Sequence, residues 1–390
     1  MSRVRLVAAL LTAGLAAAGC SGAGNSATSA TTHADRTAGH VHRTVTTVAP
    51  TTGHPLRSGE RLESVSMSAP YLPSAPYGTG TDDYRCFVLD PHLTQDSFVT
   101  GLDIRPGTKD VVHHVILFRL PPDQVAAAQA KDAADKGPGW TCFGGTGLEG
   151  NEAVENAPWL GAWAPGGHEQ VLAPDVGIPM AKGSKVIMQV HYNLLAGPRP
   201  DLTSAVLRLA PGTKHLASLD TMLLPAPVEL PCRPGHDSSP LCDRAAALAD
   251  VQNRFGDVGL AADYLHLLCG PLHIGPVQSC DRTVRSPATI RAVAGHMHLL
   301  GRSIKIQVDP GTPRARTVLD IPVWDFDNQG AKPIKPVKLA VGDTVRVTCR
   351  HDQAIRDVLP AFEGRQERYV MWGEGTTDEM CLGILLVTHP

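Results

Sequence analysis

Four short segments of the chain carry histidine or methionine side chains of the kinds that bind metal ions. The segments are VVHHVILF, MQVHYN, AGHMHLLG and TTDEMC, and their candidate ligands are His113, His114, His191, His296, His298 and Met380. Imidazole suits several transition metals, whereas a thioether is accepted by Cu(I) and avoided by zinc and the harder cations. The set therefore indicates copper, and with copper, redox chemistry.

The residues around three of these histidines alternate as in β-strands. In KVIMQVHYNL (185–194) an apolar row lies opposite Gln189 and His191, because side chains two apart share a strand face. His296 and His298 are also two apart, so the same rule places both imidazoles on one face. The sequence thus predicts that strands position these ligands.

The adjacent pair His113 and His114 poses a geometric problem. Neighbouring residues of a regular strand point to opposite faces, so both can reach one ion only if the strand bulges, twists or ends there. Each motif also has an ordinary interpretation, because a lone histidine in a strand is commonly structural and a lone methionine commonly packs in a core. Their joint occurrence is what favours a metal centre.

Composition and charge narrow the class of protein. The chain of 390 residues has 38 glycines and 32 prolines but only 5% aromatic residues, which is typical of many short strands joined by turns. Its length exceeds what one core usually holds, so two domains are expected. The net charge of −3, with no basic stripe, argues against nucleic acid as a partner.

The N-terminus has the pattern of an export signal. Arg3 and Arg5 precede a short apolar stretch that ends in small residues before Cys20. This pattern resembles a bacterial lipobox, whose cysteine is lipidated, although Ala17 stands where leucine is usual. The alternative is an ordinary secretory signal. We therefore expect a cell-envelope lipoprotein anchored to the outer face of a membrane through Cys20, or a secreted protein if Cys20 is not lipidated.

Residues 21–62 are rich in Ser, Thr, Ala and Gly and have almost no large apolar side chains. Such a segment cannot bury enough surface to offset the entropy of ordering, so it is predicted to be a disordered linker. Its histidines either capture copper or are dispersed polar residues of the linker, and they are His33, His40, His42 and His54.

The cysteines indicate disulfides. Of the nine cysteines, one lies in the signal segment, and the remaining eight are an even number in an exported protein. A Cys349–Cys381 bridge would fix the backbone beside Met380, and Cys86 and Cys142 could form a second bridge. The rival interpretation is a zinc site, but no CxxC pair supports it. The sequence leaves open the pairing of the other four, which are Cys232, Cys242, Cys269 and Cys280.

In their order and context, the four segments resemble the copper type II, ascorbate-dependent monooxygenases. This is the family of the peptidylglycine α-hydroxylating and dopamine β-hydroxylating enzymes. HHVILF resembles the family's HHMLLF, and HMHLLG is similar to its HTHHLG and HTHLTG. QVHY and DEMC are the same as in the family. The resemblance covers roughly residues 66–390.

The resemblance implies an all-β fold of two tandem antiparallel jelly-roll β-sandwich domains, with one copper ion in each. The resulting domain plan is a lipoprotein signal peptide at 1–20, a linker at 21–62, and sandwiches at 63–205 and 206–390. The second sandwich carries a helical insertion at 232–280.

The resemblance also divides the candidate ligands between the two copper ions. Three histidines would bind the first ion, which relays an electron. Two histidines and the methionine would bind the second ion, which binds O2 and hydroxylates the substrate across a water-filled cleft. The first set is His113, His114 and His191, and the second, catalytic set is His296, His298 and Met380.

Further positions follow from the same resemblance. Tyr84 and Gln189 match family positions near the first copper, and the bridges Cys86–Cys142 and Cys349–Cys381 resemble two family disulfides. The implied reaction inserts one atom of O2 into an activated C–H bond and reduces the other to water. Each copper would supply one electron, refilled by ascorbate or another reductant.

The substrate pocket departs from that of the peptide-hydroxylating members. These hold the substrate carboxylate with an arginine two residues before the H-x-H motif, and here that residue is Ala294. They also use Asn and Tyr two and four residues after the methionine, where this chain has Leu382 and Ile384. A carboxylate therefore lacks its bidentate partner. We expect a neutral or apolar small substrate instead of a peptidylglycine.

A second departure is the segment between Cys232 and Cys280. Its stretches RAAALADVQNRF and LAADYLHLL predict one or two helices, which either cover the cleft or only decorate the surface. A shorter insertion around Gln124–Lys136 also predicts a helix.

Three functions remain in competition. The first is a copper-dependent monooxygenase. The second is a non-catalytic copper-binding or copper-sequestering envelope lipoprotein on the same fold, and the third is a carbohydrate- or protein-binding sandwich with fossil sites. All six ligand positions are filled, and two chemically different sites favour catalysis over storage. The sequence leaves open the substrate, the physiological reductant and the oligomeric state.

Overall fold

The computed structural model describes residues 52–76, 80–148 and 157–390. Within these ranges the chain is mostly β-strand, so the predicted all-β class is confirmed. The first ten strands are β1 (Arg61–Ser66), β2 (Asp82–Leu89), β3 (Ser97–Arg105), β4 (Val112–Leu120), β5 (Trp140–Thr141), β6 (Trp159–Trp163), β7 (Gln170–Val171), β8 (Val176–Met180), β9 (Lys185–Asn193) and β10 (Ser204–Pro211).

The following ten strands form the second half of the fold. They are β11 (Ala217–Ala226), β12 (Glu229–Leu230), β13 (Val277–Thr283), β14 (Ala288–His296), β15 (Gly301–Val308), β16 (Arg316–Ile321), β17 (Lys332–Leu339), β18 (Thr344–His351), β19 (Val370–Met371) and β20 (Cys381–Thr388).

Helices occur where the sequence predicts them. The first, α1 (Val125–Ala134), lies in the shorter insertion, and α2 (Arg244–Phe255) and α3 (Ala261–Cys269) lie in the longer one. At the start of α2, the Asp243 carboxylate accepts a hydrogen bond from the Ala246 amide and so satisfies one of the free N–H groups there. The helix ends at Gly256, whose φ of 66° favours glycine.

The strands form two sandwiches that share one sheet. In the first, the five-stranded sheet β5-β2-β9-β4-β6 packs against β1, β10, β3 and β8, with β7 beside β3. In the second, β11, β20, β14 and β17 pack against the four-stranded sheet β13-β18-β15-β16. A short parallel pairing of β8 with β11 makes the inner strands of both sandwiches one nine-stranded sheet.

The division into two tandem domains stays a prediction. Strand β10 crosses the predicted boundary between residues 205 and 206, and it pairs with β1 and β3, so it is part of the first sandwich. The described residues belong to one compact unit.

Four disulfides cross-link the described chain. Cys86–Cys142 and Cys349–Cys381 are both present, and the open pairing in the insertion is resolved as Cys232–Cys242 and Cys269–Cys280. Disulfides persist in oxidising compartments, so they indicate an exported protein. None of the helices that the structure describes has the length and apolar character needed to span a bilayer.

Part of the predicted linker is structured. From residue 52 onward the chain is described, and β1 begins at Arg61, inside the predicted linker. The guanidinium of buried Arg208 donates hydrogen bonds to the carbonyl oxygens of His54 and Pro55 and pairs with Glu60 at 2.7 Å. These bonds explain why a polar stretch is held on the sandwich. Cys20, the signal segment and the linker up to residue 51 lie outside the described residues.

Candidate metal centre

Three of the predicted ligands converge at one end of the five-stranded sheet. The pairing of β4 with β9 shifts register between Val112 and His114, so that His113 is an extra residue and His114 lies opposite His191. The Nδ1 atom of His113 is 2.9 Å from that of His191 and 3.2 Å from that of His114, and the last two are 3.4 Å apart. The bulge that the adjacent pair requires is therefore present.

A buried carboxylate fixes the orientation of His191. The Nε2 atom of His191 lies 2.9 Å from Asp82 Oδ1, and Asp82 also accepts hydrogen bonds from the amide and hydroxyl of Thr376. Burial raises the pKa of Asp82, but these bonds from His191 and Thr376 outweigh burial and hold the pKa well below its ordinary value. An ionised Asp82 accepts the Nε2 proton, which leaves the Nδ1 lone pair of His191 facing the other two histidines.

The three imidazoles are neutral in this environment. Burial lowers the pKa of His113, His114 and His191, and the nearby imidazoles lower the pKa of the first two further. Tyr84 stacks on His191 with ring centroids 4.0 Å apart. Neutral imidazole is the form that binds metals, so burial prepares these side chains as ligands.

The geometry of this first histidine group fits one transition-metal ion. The three Nδ1 atoms are spaced as three nitrogen ligands about 2.0–2.1 Å from a common ion would be. An oriented imidazole with a carboxylate behind it is the usual arrangement at such sites. The group formed by His113, His114 and His191 could therefore hold a metal.

The second group of predicted ligands lies at the end of β14. The strand ends at His296, so His298 is in the following turn, and the alternation expected for this pair does not apply. The two rings are still 5.1 Å apart. Among the described residues, the buried Nε2 atom of His298 has no hydrogen-bond partner, while its Nδ1 lies 3.3 Å from the Asp378 carbonyl. An orphaned ring nitrogen of this kind fits a metal ligand.

Met380 comes to this group from the segment before β20. It is buried, and it lines the same cavity as His296. The Nδ1 atom of His296 lies 2.6 Å from Gln329 Oε1, so its Nε2 is left for another partner. The donor set of two imidazoles and one thioether fits a softer ion than the three-histidine group does.

One buried carboxylate shapes the turn that carries His298. Glu379 accepts hydrogen bonds from the amides of His298 at 3.0 Å, Leu300 at 2.6 Å and Met380 at 3.2 Å. The Nε2 atom of His351 lies 3.3 Å from the same carboxylate. Because one side chain holds the backbone of both ligands, His298 and Met380 are fixed relative to each other.

The two groups lie against each other. The rings of His114 and His296 are 5.8 Å apart, and those of His113 and His298 are 6.5 Å apart. The resemblance implies a water-filled cleft here, whereas the structure has the two sets in direct proximity. Hydrogen bonds from Thr376 to Asp82 join the two halves beside the histidines and explain the close approach.

The helical insertion contacts the second group. Arg254, near the end of α2, donates two hydrogen bonds of 2.7 Å to the carboxylate of Asp378, which lies two residues before Met380. Phe255 packs on Phe143 at 5.0 Å, and Phe143 packs on Tyr84 at 5.4 Å. The insertion therefore supports the segments that carry the candidate ligands, beyond decorating the surface.

We expect Arg254→Met to destabilise the protein by about 3 kcal/mol, because Asp378 would be left buried without its main cation. It should also weaken metal binding by His298, since the Asp378 carbonyl contacts that ring. Arg244→Met is the matched control, because Arg244 is on the same helix and pairs with buried Glu229, whose histidine partner is His266 and none of the candidate ligands. Urea unfolding and metal titration separate the two effects. Equal metal affinity in both variants would contradict the coupling.

A cavity of about 260 Å³ reaches both histidine groups. Around it are His114 of the first group and His296 and Met380 of the second, and most of the remaining wall is apolar. Ala294, Leu382 and Ile384, the residues that replace the family's carboxylate-binding side chains, also line it. A small apolar molecule fits such a space.

Glu374 is the acidic residue in the cavity wall. Burial and, to a lesser extent, the charge of Asp378 raise its pKa, and a hydrogen bond from the Gly144 amide lowers it, so that the resulting pKa is about 7. The folded-state pKa lies above the ordinary value of 4.5, so the protonated acid favours folding. This contribution is complete below about pH 4.5 and is lost as the pH rises through about 7.

Glu374→Gln cannot ionise and keeps the shape of the side chain. Between about pH 4 and pH 8, the unfolding free energy of the wild-type protein should therefore fall relative to that of the variant by roughly 3 kcal/mol. Urea titrations at both pH values measure this difference. Glu363→Gln changes an exposed carboxylate and should show none. A pH-independent difference for Glu374→Gln would contradict the raised pKa.

Sequence reasoning missed the residues behind the ligands. Asp82 is two residues before Tyr84, so strand alternation could have placed it on the same face, toward His191. Glu374 stands between two glycines, directly after the apolar run Val370–Trp372, which is an unusual place for a carboxylate. The pairing of Arg254 with Asp378 joins positions 124 residues apart and leaves no local signal.

Comparisons with known proteins give no family. No protein-family model matches the chain, and no curated protein matches it. Among solved structures, an archaeal virus protein with a triple jelly-roll fold is 7% identical, with a TM-score of 0.17 over 86% of this chain and 60% of that chain. The chain thus spans less than two thirds of that protein.

Two further solved structures are similarly remote. A fucolectin from striped bass serum is 10% identical, with a TM-score of 0.18 over 85% of this chain and 97% of that chain. An oxalate decarboxylase of Bacillus subtilis is 8% identical, with a TM-score of 0.15 over 87% and 78%. Scores this low carry no argument about function, which depends on the site itself.

Proposed function

We propose that the protein is a copper-dependent monooxygenase that hydroxylates an activated C–H bond of a neutral or apolar small molecule. The observation that carries this proposal is the meeting of two different ligand groups at one cavity. His114 of the three-histidine group lines this cavity, and so do His296 and Met380 of the second group. The other three histidines lie directly behind them. The four motifs that resemble the copper type II, ascorbate-dependent monooxygenases supply the six candidate ligands of these two groups.

The difference between the two groups supports redox chemistry over storage. Neutral imidazoles in the first group suit both oxidation states of copper, and the Met380 thioether biases the second group toward Cu(I). With two copper ions bound, R–H, O2, two electrons and two protons would give R–OH and water, the electrons coming from ascorbate or another one-electron reductant. Burial keeps the imidazoles of the first group neutral. Asp82 and Gln329 orient the rings of His191 and His296, and Glu379 holds the backbone of His298.

The cavity supports the proposed class of substrate. Ala294, Leu382 and Ile384 in its wall offer no cation for a substrate carboxylate, and Trp159 and Trp163 add apolar surface. Export of the protein, which its disulfides indicate, is compatible with O2 and a diffusible reductant as co-substrates.

The test is the copper stoichiometry of the purified protein, with X-ray absorption on the reduced form and O2 consumption in the presence of ascorbate. We expect two copper ions, a Cu–S contribution, and O2 consumption that rises with a suitable substrate. Two bound ions without reductant-dependent O2 consumption would favour the alternative, a copper-sequestering protein on the same fold. One ion without sulfur ligation would overturn the assignment of the second site.

A further inference from the structure

The cavity is elongated. Alternate residues along β20 and the residue before it line the cavity, and the paired residues of β11 line it as well. On the β20 side these residues are Met380, Leu382, Ile384 and Leu386, and on the β11 side they are Leu219, Thr221, Leu223 and Pro225. The six residue steps from Met380 to Leu386 extend over about 20 Å of strand, so the cavity suits a chain-like molecule.

The end of the cavity far from the histidines is apolar. It enters the core of the first sandwich, where its wall is formed by Leu102, Leu160, Trp163, Ile178 and Leu219. A polar group placed here would lose its water without gaining a hydrogen bond, which is costly. Hydrocarbon is therefore the chemistry that this end accepts.

Glu374 lies at the other end, beside the histidines. Its main-chain carbonyl accepts a hydrogen bond of 2.7 Å from the Tyr84 hydroxyl, and the Tyr84 ring stacks on His191. Two residues further on, Thr376 bonds to Asp82, the partner of His191. Glu374 thus lies at the histidine end of the cavity wall.

The carboxyl of Glu374 also differs from the other polar side chains of the wall. The amides of Gln170, Gln189 and Gln329 donate to main-chain carbonyls at 2.7–3.1 Å, so the protein itself satisfies them. Glu374 accepts a hydrogen bond from the Gly144 amide, and within the described residues it has no cationic partner. A buried carboxyl has acceptor sites for more than one donor.

We propose that Glu374 determines substrate specificity by accepting a hydrogen bond from an alcohol or amine group of an otherwise hydrocarbon substrate. This inference rests on the proposed function in one respect, which is that the molecule bound in the cavity is the substrate. The hydrocarbon part lies between β20 and β6, and the donor group lies at the histidine end. A substrate carboxylate is disfavoured, because it would be buried against Glu374 and near Asp378 without a cation.

The experiment measures ligand binding by tryptophan fluorescence, since Trp159, Trp163 and Trp372 line the cavity. The probes are octan-1-ol, octylamine and octanoate, added to the purified protein first without added metal and then with Cu(I). We expect the alcohol, the amine or both to bind at least about tenfold more tightly than octanoate. Affinity should also rise roughly threefold for each CH2 from butan-1-ol to octan-1-ol.

Glu374→Gln distinguishes the two donor groups. The amide keeps an acceptor oxygen but no charge, so the variant should retain octan-1-ol, bind octylamine several-fold more weakly and bind octanoate more tightly than the wild-type protein does. Glu363→Gln, an exposed carboxylate, is the matched control and should change none of these affinities.

Three results would each overturn the inference. They are octanoate binding as tightly as both donor ligands, an unchanged preference in Glu374→Gln, and binding of none of the probes. Because the first measurements need no metal, failure of the proposed copper chemistry would leave this ligand preference intact and would be seen separately, as absent O2 consumption.

Discussion

Met380→Ile is expected to abolish hydroxylation while leaving copper bound to His113, His114 and His191. The thioether is the one soft donor of the second group, and its removal leaves His296 and His298 as a two-nitrogen site. We expect the rate of O2-dependent hydroxylation to fall by more than about 100-fold, which exceeds the 10–100-fold loss typical of a residue that only orients a ligand. Reductant-dependent O2 consumption measures the rate, and X-ray absorption measures the loss of Cu–S ligation.

The variant should fold, so the loss can be attributed to the ligand. Met to Ile nearly conserves volume and usually costs less than about 1.5 kcal/mol in a core. Met371→Ile is the matched control, because Met371 is buried in the same hydrophobic cluster as Met380 and is not one of the residues that line the cavity. Activity that survives in Met380→Ile, or that is lost equally in Met371→Ile, would refute the role of Met380 as a ligand.

Asp82→Asn is expected to weaken metal binding by the first histidine group by 10–100-fold. The neutral asparagine is a weaker acceptor for the Nε2–H group of His191 than the charged aspartate is. The tautomer of His191 that leaves Nδ1 free to bind a metal is therefore less stabilised. The variant should also lose about 2 kcal/mol of stability at neutral pH, since hydrogen bonds from His191 and Thr376 to a buried carboxylate are removed or weakened. Copper titration against a competing chelator measures the first effect, and urea unfolding the second.

The pH dependence and a neighbouring residue provide the controls. The pKa of Asp82 is lowered in the folded protein, so its contribution to stability is present above about pH 4 and is lost as the pH falls through the folded-state pKa. Asp83 is also buried but faces the other way, bonding to Tyr71 and Ser74. Asp83→Asn should leave metal affinity unchanged. Equal weakening in both variants would mean that Asp82 acts through the fold alone.

The candidate ligands could be selected from the sequence because metal chemistry restricts the residue types at a site. The adjacent histidines can bind one ion only if their strand bulges, and the pairing of β4 with β9 has a bulge at that position. The prediction that His296 and His298 share a strand face was less successful, because β14 ends at the first of them. A turn held by Glu379 positions His298 instead, and Glu379 is linked to it through hydrogen bonds that span some 80 residues of sequence.

The cysteine pairing could also be predicted only in part from the sequence. An even cysteine count in an exported chain predicts bridges, but chain entropy alone does not select the partners inside the insertion. Those partners, Cys232–Cys242 and Cys269–Cys280, are set by where α2 and α3 pack. The proximity of the two histidine groups likewise depends on Thr376 meeting Asp82, a contact between residues 294 positions apart.

The sequence by itself determined the mostly-β class, the helices of the insertions, the six candidate ligands and the indication of copper. These depend on local periodicity and on the coordination preferences of side chains, both of which can be read one segment at a time. Only the tertiary structure decided how near the two groups lie, which carboxylates orient them, and that Glu374 lines an apolar cavity beside them. Such features arise from packing between distant segments, where burial changes what a side chain can do.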